Sequence, residues 1–378
     1  MPAAPKELTR TLPHSYLTPL AVRGRITKAQ PLGLPVVNMG FNELPYPPTP
    51  AVKEAITKAA AVPNLYGNPT CVGLREAIGE TYGLDPETLV CGNGSEELLD
   101  VIARNFVQPG DDIVISAFGY VQFVLTANRL NANLIKAPET DFTTDIDALL
   151  AAVTPATKLV FLANPNNPTG TALPVSEIER LAAALPGHIV LVLDLAYGEF
   201  WGKAHCDDLH DLVQRSENVI VTRTFSKAFG LAGLRAGWCH VPPWMVPHIY
   251  AARGMGSVNA MAQAAATASL SEMSLVEDRV AQVNAERDRM RAALDEIGIE
   301  TLPSQANFLA ATIRGHGAEA TEALVNYLFD KAGLVVNRTR EAGLEHFMRF
   351  SISLDEHNDL LIQTTKAFLD SSEPTTRG

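Results

Sequence analysis

Four short apolar runs, at residues 112–116, 158–163, 188–193 and 218–222, recur between stretches of helical spacing such as 96–106 and 176–184. That alternation leaves few folds open. Runs of five or six residues without polar alternation have no face to give to water, so the intervening helices must cover both sides. The expected class is α/β, with a mostly parallel sheet. Beyond residue 270 the pattern changes to a long amphipathic stretch at 275–297, strand-like runs at 307–313, 333–336 and 348–352, and a last helix near 355–369. These mixed elements read as a smaller α+β domain that begins somewhere near 256–273, and the alanine-rich stretch at 260–268 reads as a tightly packed helix. Residues before about 50 are broken by Pro2, Pro5, Pro13 and Pro19 and carry no long periodic segment. They read as an arm laid over the body. The expected division is an arm at 1–50 associated with the small domain, a large domain at 51–260 and a small C-terminal domain at 261–378.

In open α/β sheets ligands bind beyond the carboxyl ends of the strands, so the residues that follow each apolar run carry most information. The run at 158–163 leads into Asn164-Pro165-Asn166-Asn167-Pro168-Thr169-Gly170, and the run ending at Leu193 leads into Asp194, with Tyr197 shortly after. The run at 218–222 leads into Arg223-Thr224-Phe225-Ser226-Lys227, then Gly230, Gly233 and Arg235. Three consecutive strand ends therefore offer an amide, a carboxylate with a phenol, and a lysine with hydroxyls and a guanidinium. Upstream, Gly92-Asn93-Gly94-Ser95-Glu96-Glu97 precedes a helical run. A glycine-containing turn that opens a helix presents free N–H groups at the positive end of its dipole, which suits a phosphate.

Each of these features also has a plainer reading. Asp194 could be a helix N-cap, Asn164 to Gly170 an ordinary turn, Lys227 a solvated lysine, Tyr66 and Tyr120 packing aromatics, and Arg349 the partner of a surface acid. Asp194, the loop from Asn164 to Gly170 and Lys227 occur together at successive strand ends, which favours chemistry, and Arg349 lies in a strand-like run between Phe347 and Phe350; Tyr66 and Tyr120 have no such local support. The formal net charge of −12 over 378 residues argues against nucleic-acid binding, so any anionic ligand must be held by local groups. Cys71, Cys91, Cys206 and Cys239 are far apart with no CxxC pair, and none of the nine histidines has ligand spacing. Neither a metal site nor a disulfide framework is expected, and a reducing cytoplasm fits. No secretory signal and no membrane-spanning run is expected, since residues 1–30 lack an apolar stretch and no apolar run reaches spanning length.

Pyridoxal 5'-phosphate (PLP) asks for this combination: a lysine to form a Schiff base, a carboxylate opposite the pyridine nitrogen, donors to the phenolic oxygen and a phosphate cradle. The chain resembles the class I/II aminotransferases of PLP fold type I, and within them the histidinol-phosphate aminotransferase branch. The resemblance rests on Asn42-Glu43-Leu44-Pro45-Tyr46, Gly92 to Glu97, Asn164 to Gly170, Asp194-Leu195-Ala196-Tyr197, Met348-Arg349-Phe350 and, most specifically, the segment from Arg223 to Arg235. It implies the three-layer α/β fold of that family and a homodimer acting on small molecules. It also implies that Lys227 binds the cofactor and moves the substrate proton, that Asp194 pairs with the ring nitrogen, and that Asn167 and Tyr197 serve the phenolic oxygen. Gly94, Ser95, Thr224, Ser226 and Arg235 would hold the phosphate, Tyr120 would stack on the ring, and Tyr66 would reach the neighbouring subunit's cofactor phosphate. On the substrate side the resemblance points to Arg349 for a carboxylate, together with Tyr46 and Asn337.

Three positions depart from the family's pattern; the first leaves cofactor binding little affected, and the other two loosen the substrate assignment. Leu195 stands where the family usually has Glu, Leu44 where Asn is frequent, and Asn337 where histidinol-phosphate enzymes commonly carry the Arg that helps bind the substrate phosphate. Arg338, Arg340 and Arg23 are the nearby basic candidates to replace it. The activity implied is amino transfer between histidinol phosphate, or an aromatic or other amino acid, and a 2-oxo acid such as 2-oxoglutarate. A decarboxylase or lyase on the same fold, or a non-catalytic ligand-binding relative, is the alternative.

Overall fold

The structure, a computed structural model, describes residues 29–339 and 341–372. Its main sheet has seven strands in the order Leu89–Gly92, Gly237–His240, Val219–Thr224, Val190–Asp194, Thr157–Ala163, Asp112–Ser116 and Asn133–Ala137. Only Gly237–His240 runs antiparallel to its neighbours. The apolar runs read from the sequence supply the sheet's centre, and they lack alternation because both faces are buried. Val192, Ile220 and Phe161 pack with the helix Ser95–Phe106 on one side, while Leu191, Val221 and Leu162 pack with Val175–Ala184 and Lys203–Gln214 on the other. Because the pairing is parallel, Gly92, Ser116, Ala163, Asp194 and Thr224 all end at one edge of the sheet. The loops that follow them therefore meet there.

The second sheet is antiparallel, in the order Ile299–Thr301, Phe308–Ile313, Met348–Ser351, Asn337–Arg338. Its register sets Asn337 and Ala310 on either side of Arg349, and Arg338 beside Met348. Directly paired residues share a face, so Asn337 and Arg349 point the same way and Arg338 points the other. Helices Ala318–Ala332 and Asp355–Ser372 pack together, as do the 24-residue helix Met273–Glu296 and the strand Ile299–Thr301. The segment before residue 50 enters this unit: Val37–Asn38 pairs in parallel with Leu334–Val335, and Ser351 N donates to Met39 O at 2.7 Å. The alanine-rich helix Ala260–Leu270 packs against Pro50–Ala60 and Val72–Tyr82, with Ala262, Ala265 and Ala266 buried. Small side chains let these backbones approach, and a Cβ on Gly67 would already lie 3.2 Å from Ala260 Cα.

Candidate active site

A cavity of about 970 Å³ opens where the strand-end loops face the second sheet. Asp194, the last residue of its strand, is buried, and Oδ1 accepts from Ala196 N at 3.1 Å and Thr222 Oγ1 at 3.3 Å. Thr222 is its register partner on the next strand. Burial outweighs these two neutral donors and raises the carboxyl to about 6. Lys227 lies across the cavity, and its Nζ donates to the carbonyls of Phe41 and Asn42, each at 3.1 Å. Burial, then the charge of Arg349, lowers its ammonium to about 8. Tyr197 has its hydroxyl on Asn42 Nδ2 at 2.8 Å and its ring edge-on to Phe308, and burial raises the phenol to about 12.

Arg349 reaches in from the second sheet, donating from Nη1 to Asn167 Oδ1 and from Nη2 to Gly40 O at 2.9 Å. Its guanidinium lies over the Phe308 ring, 5.4 Å from the centroid. Asn337, on the same face, also lines the cavity. Arg338 forms an ion pair with Glu322 of the helix Ala318–Ala332, and both residues also line the cavity. Arg340 and Arg23 lie outside the described residues.

The remaining sequence candidates gather at the far end. Gly94, at φ +82°, is the N-cap of the helix Ser95–Phe106, and a Cβ there would stand 2.5 Å from Arg235 Nη2. A glycine is needed both for that φ and for the guanidinium to come so close. Arg235 Nη1 donates to Ser226 Oγ at 3.3 Å, and Ser226 N donates to Thr224 Oγ1 at 3.1 Å. Tyr120 borders the same space and donates its hydroxyl to Glu96 Oε1 at 2.6 Å. Two candidates are elsewhere. Tyr46 lies under Arg279, 5.3 Å from its ring centroid, and borders a separate depression with Glu286, Arg289 and Asp355. Tyr66 is fully exposed.

Four site neighbours escaped the sequence reading: Asn42, Thr222, Glu96 and Glu322. Thr222 and Asn42 act only through strand register and through the path of the arm, neither of which a linear pattern contains. Asn42 holds φ +56°, a left-handed conformation that asparagine tolerates. Its Oδ1 is buried without a hydrogen-bond partner among the described residues.

The donor set fits PLP. A buried carboxylate raised by desolvation, and met only by neutral donors, is suited to a protonated ring nitrogen, and the helix start at Ser95, beside the Arg235 guanidinium, suits a phosphate, although Gly94 N itself donates to Gly92 O at 2.8 Å. Among the described residues no group of His, Cys, Asp and Glu could hold a metal, and no helix is long and apolar enough to cross a membrane.

Residues 35–363 match the family model for aminotransferase class I and II. The chain is 41% identical over 334 residues to a histidinol-phosphate aminotransferase of Granulibacter bethesdensis, covering 88% of this chain and 90% of that one. It is 38% identical over 367 residues to one of Rhodopseudomonas palustris, covering 96% and 99%. Among solved structures, the histidinol-phosphate aminotransferase of Sinorhizobium meliloti in complex with pyridoxal-5'-phosphate superposes with a TM-score of 0.88 at 30% identity, covering 98% of this chain and 99% of that one.

Proposed function

The chain belongs to the class I and II aminotransferase family, and from that premise we propose that its amino donor is histidinol phosphate or an aromatic or other amino acid. It is a PLP-dependent enzyme of fold type I that transfers an amino group to a 2-oxo acid such as 2-oxoglutarate. The observation that carries the assignment of residues is the convergence of Lys227, Asp194, Tyr197, Asn167 and Arg349 on one cavity from strand ends and from the second sheet.

When bound, PLP supplies the electron sink that stabilises the charge left as the substrate's Cα proton departs. In this reading Lys227 is the amine that joins the cofactor and then carries that proton, and an ammonium lowered to about 8 can give up its own proton near neutral pH. Asp194 is the counter-charge for the ring nitrogen. Tyr197 and Asn167 would serve the phenolic oxygen, and Tyr120 would lie against the ring. The Gly94 and Ser95 amides, the Thr224 and Ser226 hydroxyls and Arg235 hold the phosphate. Arg349 binds the substrate carboxylate as a planar fork, and Asn337 borders the substrate's far end. Tyr46 is the substrate-side candidate that lies outside this cavity.

The chain would act as a homodimer, with Tyr66 serving the partner's site. Full exposure of that phenol, with Val62 and Leu65 exposed on the same segment, supports this, and sedimentation of a fully active monomer would contradict it. The proposed division remains an arm at 1–50, a large domain at 51–260 and a small domain at 261–378. Four free buried cysteines fit a reducing cytoplasm.

The relatives' substrate supports histidinol phosphate, while Asn337 and the pairing of Arg338 with Glu322 favour an amino acid that brings one carboxylate. Measuring kcat/KM for histidinol phosphate beside phenylalanine, leucine and glutamate tests both. Detectable turnover of histidinol phosphate without a large preference is expected. A preference of several orders of magnitude would show that the weight given to Asn337 is wrong, and no amino transfer from any donor would refute the reading. Arg349→Lys should raise KM for amino acids although charge is retained, because an ammonium cannot reproduce the fork.

A further inference from the structure

Two acids stand in the first turn of the helix Ser95–Phe106, and they turn opposite ways. Glu97 reaches back, its Oε2 accepting from Asn93 N at 2.6 Å, and so ties the helix to the turn that precedes it. Glu96 reaches into the cavity. Its Oε1 accepts from the Tyr120 hydroxyl at 2.6 Å and its Oε2 from Arg235 Nη2 at 3.1 Å. Arg235 is the guanidinium assigned above to the cofactor's phosphate, and its other terminal nitrogen already donates to Ser226. A carboxylate thus stands on the cation that a phosphate dianion has to use.

We propose that Glu96 is a built-in competitor for Arg235 that sets how tightly this chain holds the cofactor's phosphate. The inference rests on the cradle assigned under the proposed function. Glu96 holds Arg235 and Tyr120 aligned beside the Gly94 turn. When a dianion settles on the helix N-terminus, the Arg235 bond passes to it, and Glu96 keeps its bond to Tyr120. The exchange is easy because the side chains of Arg235 and Glu96 are 39% and 48% exposed, so water screens the pair it breaks. The turn before the helix is unaffected, since Glu97 holds it through Asn93 N.

Titration of the cofactor-free protein with inorganic phosphate, and separately with PLP, reads this without relying on turnover. Glu96→Gln keeps the shape and an acceptor for Tyr120 but removes the charge. It should tighten phosphate binding about two- to fivefold, the range expected of a partly exposed ion pair, and slow PLP release in the same proportion. Glu96→Asp, too short to span both partners, should fall between it and the parent. Arg235→Met separates the two levels of the argument. If it binds phosphate as well as the parent, the cradle itself is misassigned and the proposal falls with it. If it loses phosphate while Glu96→Gln binds phosphate no tighter, or more weakly, the cradle stands and the competitor role is refuted; weaker binding would mean that Glu96 serves the phosphate by orienting Arg235.

Discussion

Lys227 and Asp194 carry opposite formal charges when ionised, and burial pushes each toward neutrality. The lysine at about 8 can be tested in the cofactor-free chain by competitive labelling with an amine reagent. Reactivity at Lys227 should rise with a midpoint near 8, where an ordinary lysine, at 10.5, is still largely protonated. A midpoint above 10 at this residue would contradict the cavity's electrostatics. For Asp194 the sign runs the other way. With a folded value of about 6 against 3.8, the folded chain retains a proton that the unfolded chain has released between about pH 4 and 6, so stability falls as pH rises through that window and stays lowered above it. Asp194→Asn should therefore stabilise the cofactor-free chain by about 2–3 kcal/mol above pH 6, and by little near pH 4. Paired melts across pH check this, and a gain independent of pH would mean that the carboxylate is not the destabilising group. The same substitution should cripple turnover, since a neutral amide cannot hold the ring nitrogen protonated.

Elements fix where those residues meet. The strand at 190–194 and its neighbour at 219–224 are joined behind the site by Arg223 and Glu199, whose Nη2 and Oε1 lie 2.5 Å apart, both buried, with the guanidinium over the rings of Tyr82 and Trp238. Glu199→Ala removes that cation's carboxylate and should cost about 3–5 kcal/mol, read as a lowered denaturant midpoint; a change near zero would show that the rings of Tyr82 and Trp238 and the His210 Nε2, 3.3 Å from Arg223 Nη1, suffice. Gly94→Ala forces an alanine into φ +82° and against Arg235, so it should abolish phosphate binding before it unfolds the helix. Glycine at that turn was legible from its setting between an apolar strand and a helix. The apolar runs were legible as well, because strands buried on both faces need no register to be recognised. Glu96 could not be read as facing Arg235, since the two are joined only through the fold. Arg338 was legible as a basic neighbour of Asn337, but its partner was not: the register sets it beside Met348, and it pairs with Glu322 of the adjacent helix at the cavity wall.

At the scale of the whole molecule, the site needs both sheets. The large sheet brings Asp194, Asn167 and Lys227, the second sheet brings Arg349, and the arm brings the Phe41 and Asn42 carbonyls to Lys227. Sequence order supplied the first two contributions, because strand ends and a strand arginine leave local signatures. The arm's part was not legible, since an irregular segment has no period from which its path can be read. An enzyme assembled this way to shuttle an amino group, and not to decarboxylate, must keep the amino group when the first product leaves. Mixing the PLP-loaded protein with an amino donor and no acceptor tests this most directly. One equivalent of the oxo product per subunit is expected, with loss of the yellow absorbance and its return on adding 2-oxoglutarate. Release of carbon dioxide with the yellow colour retained and no oxo product would contradict it.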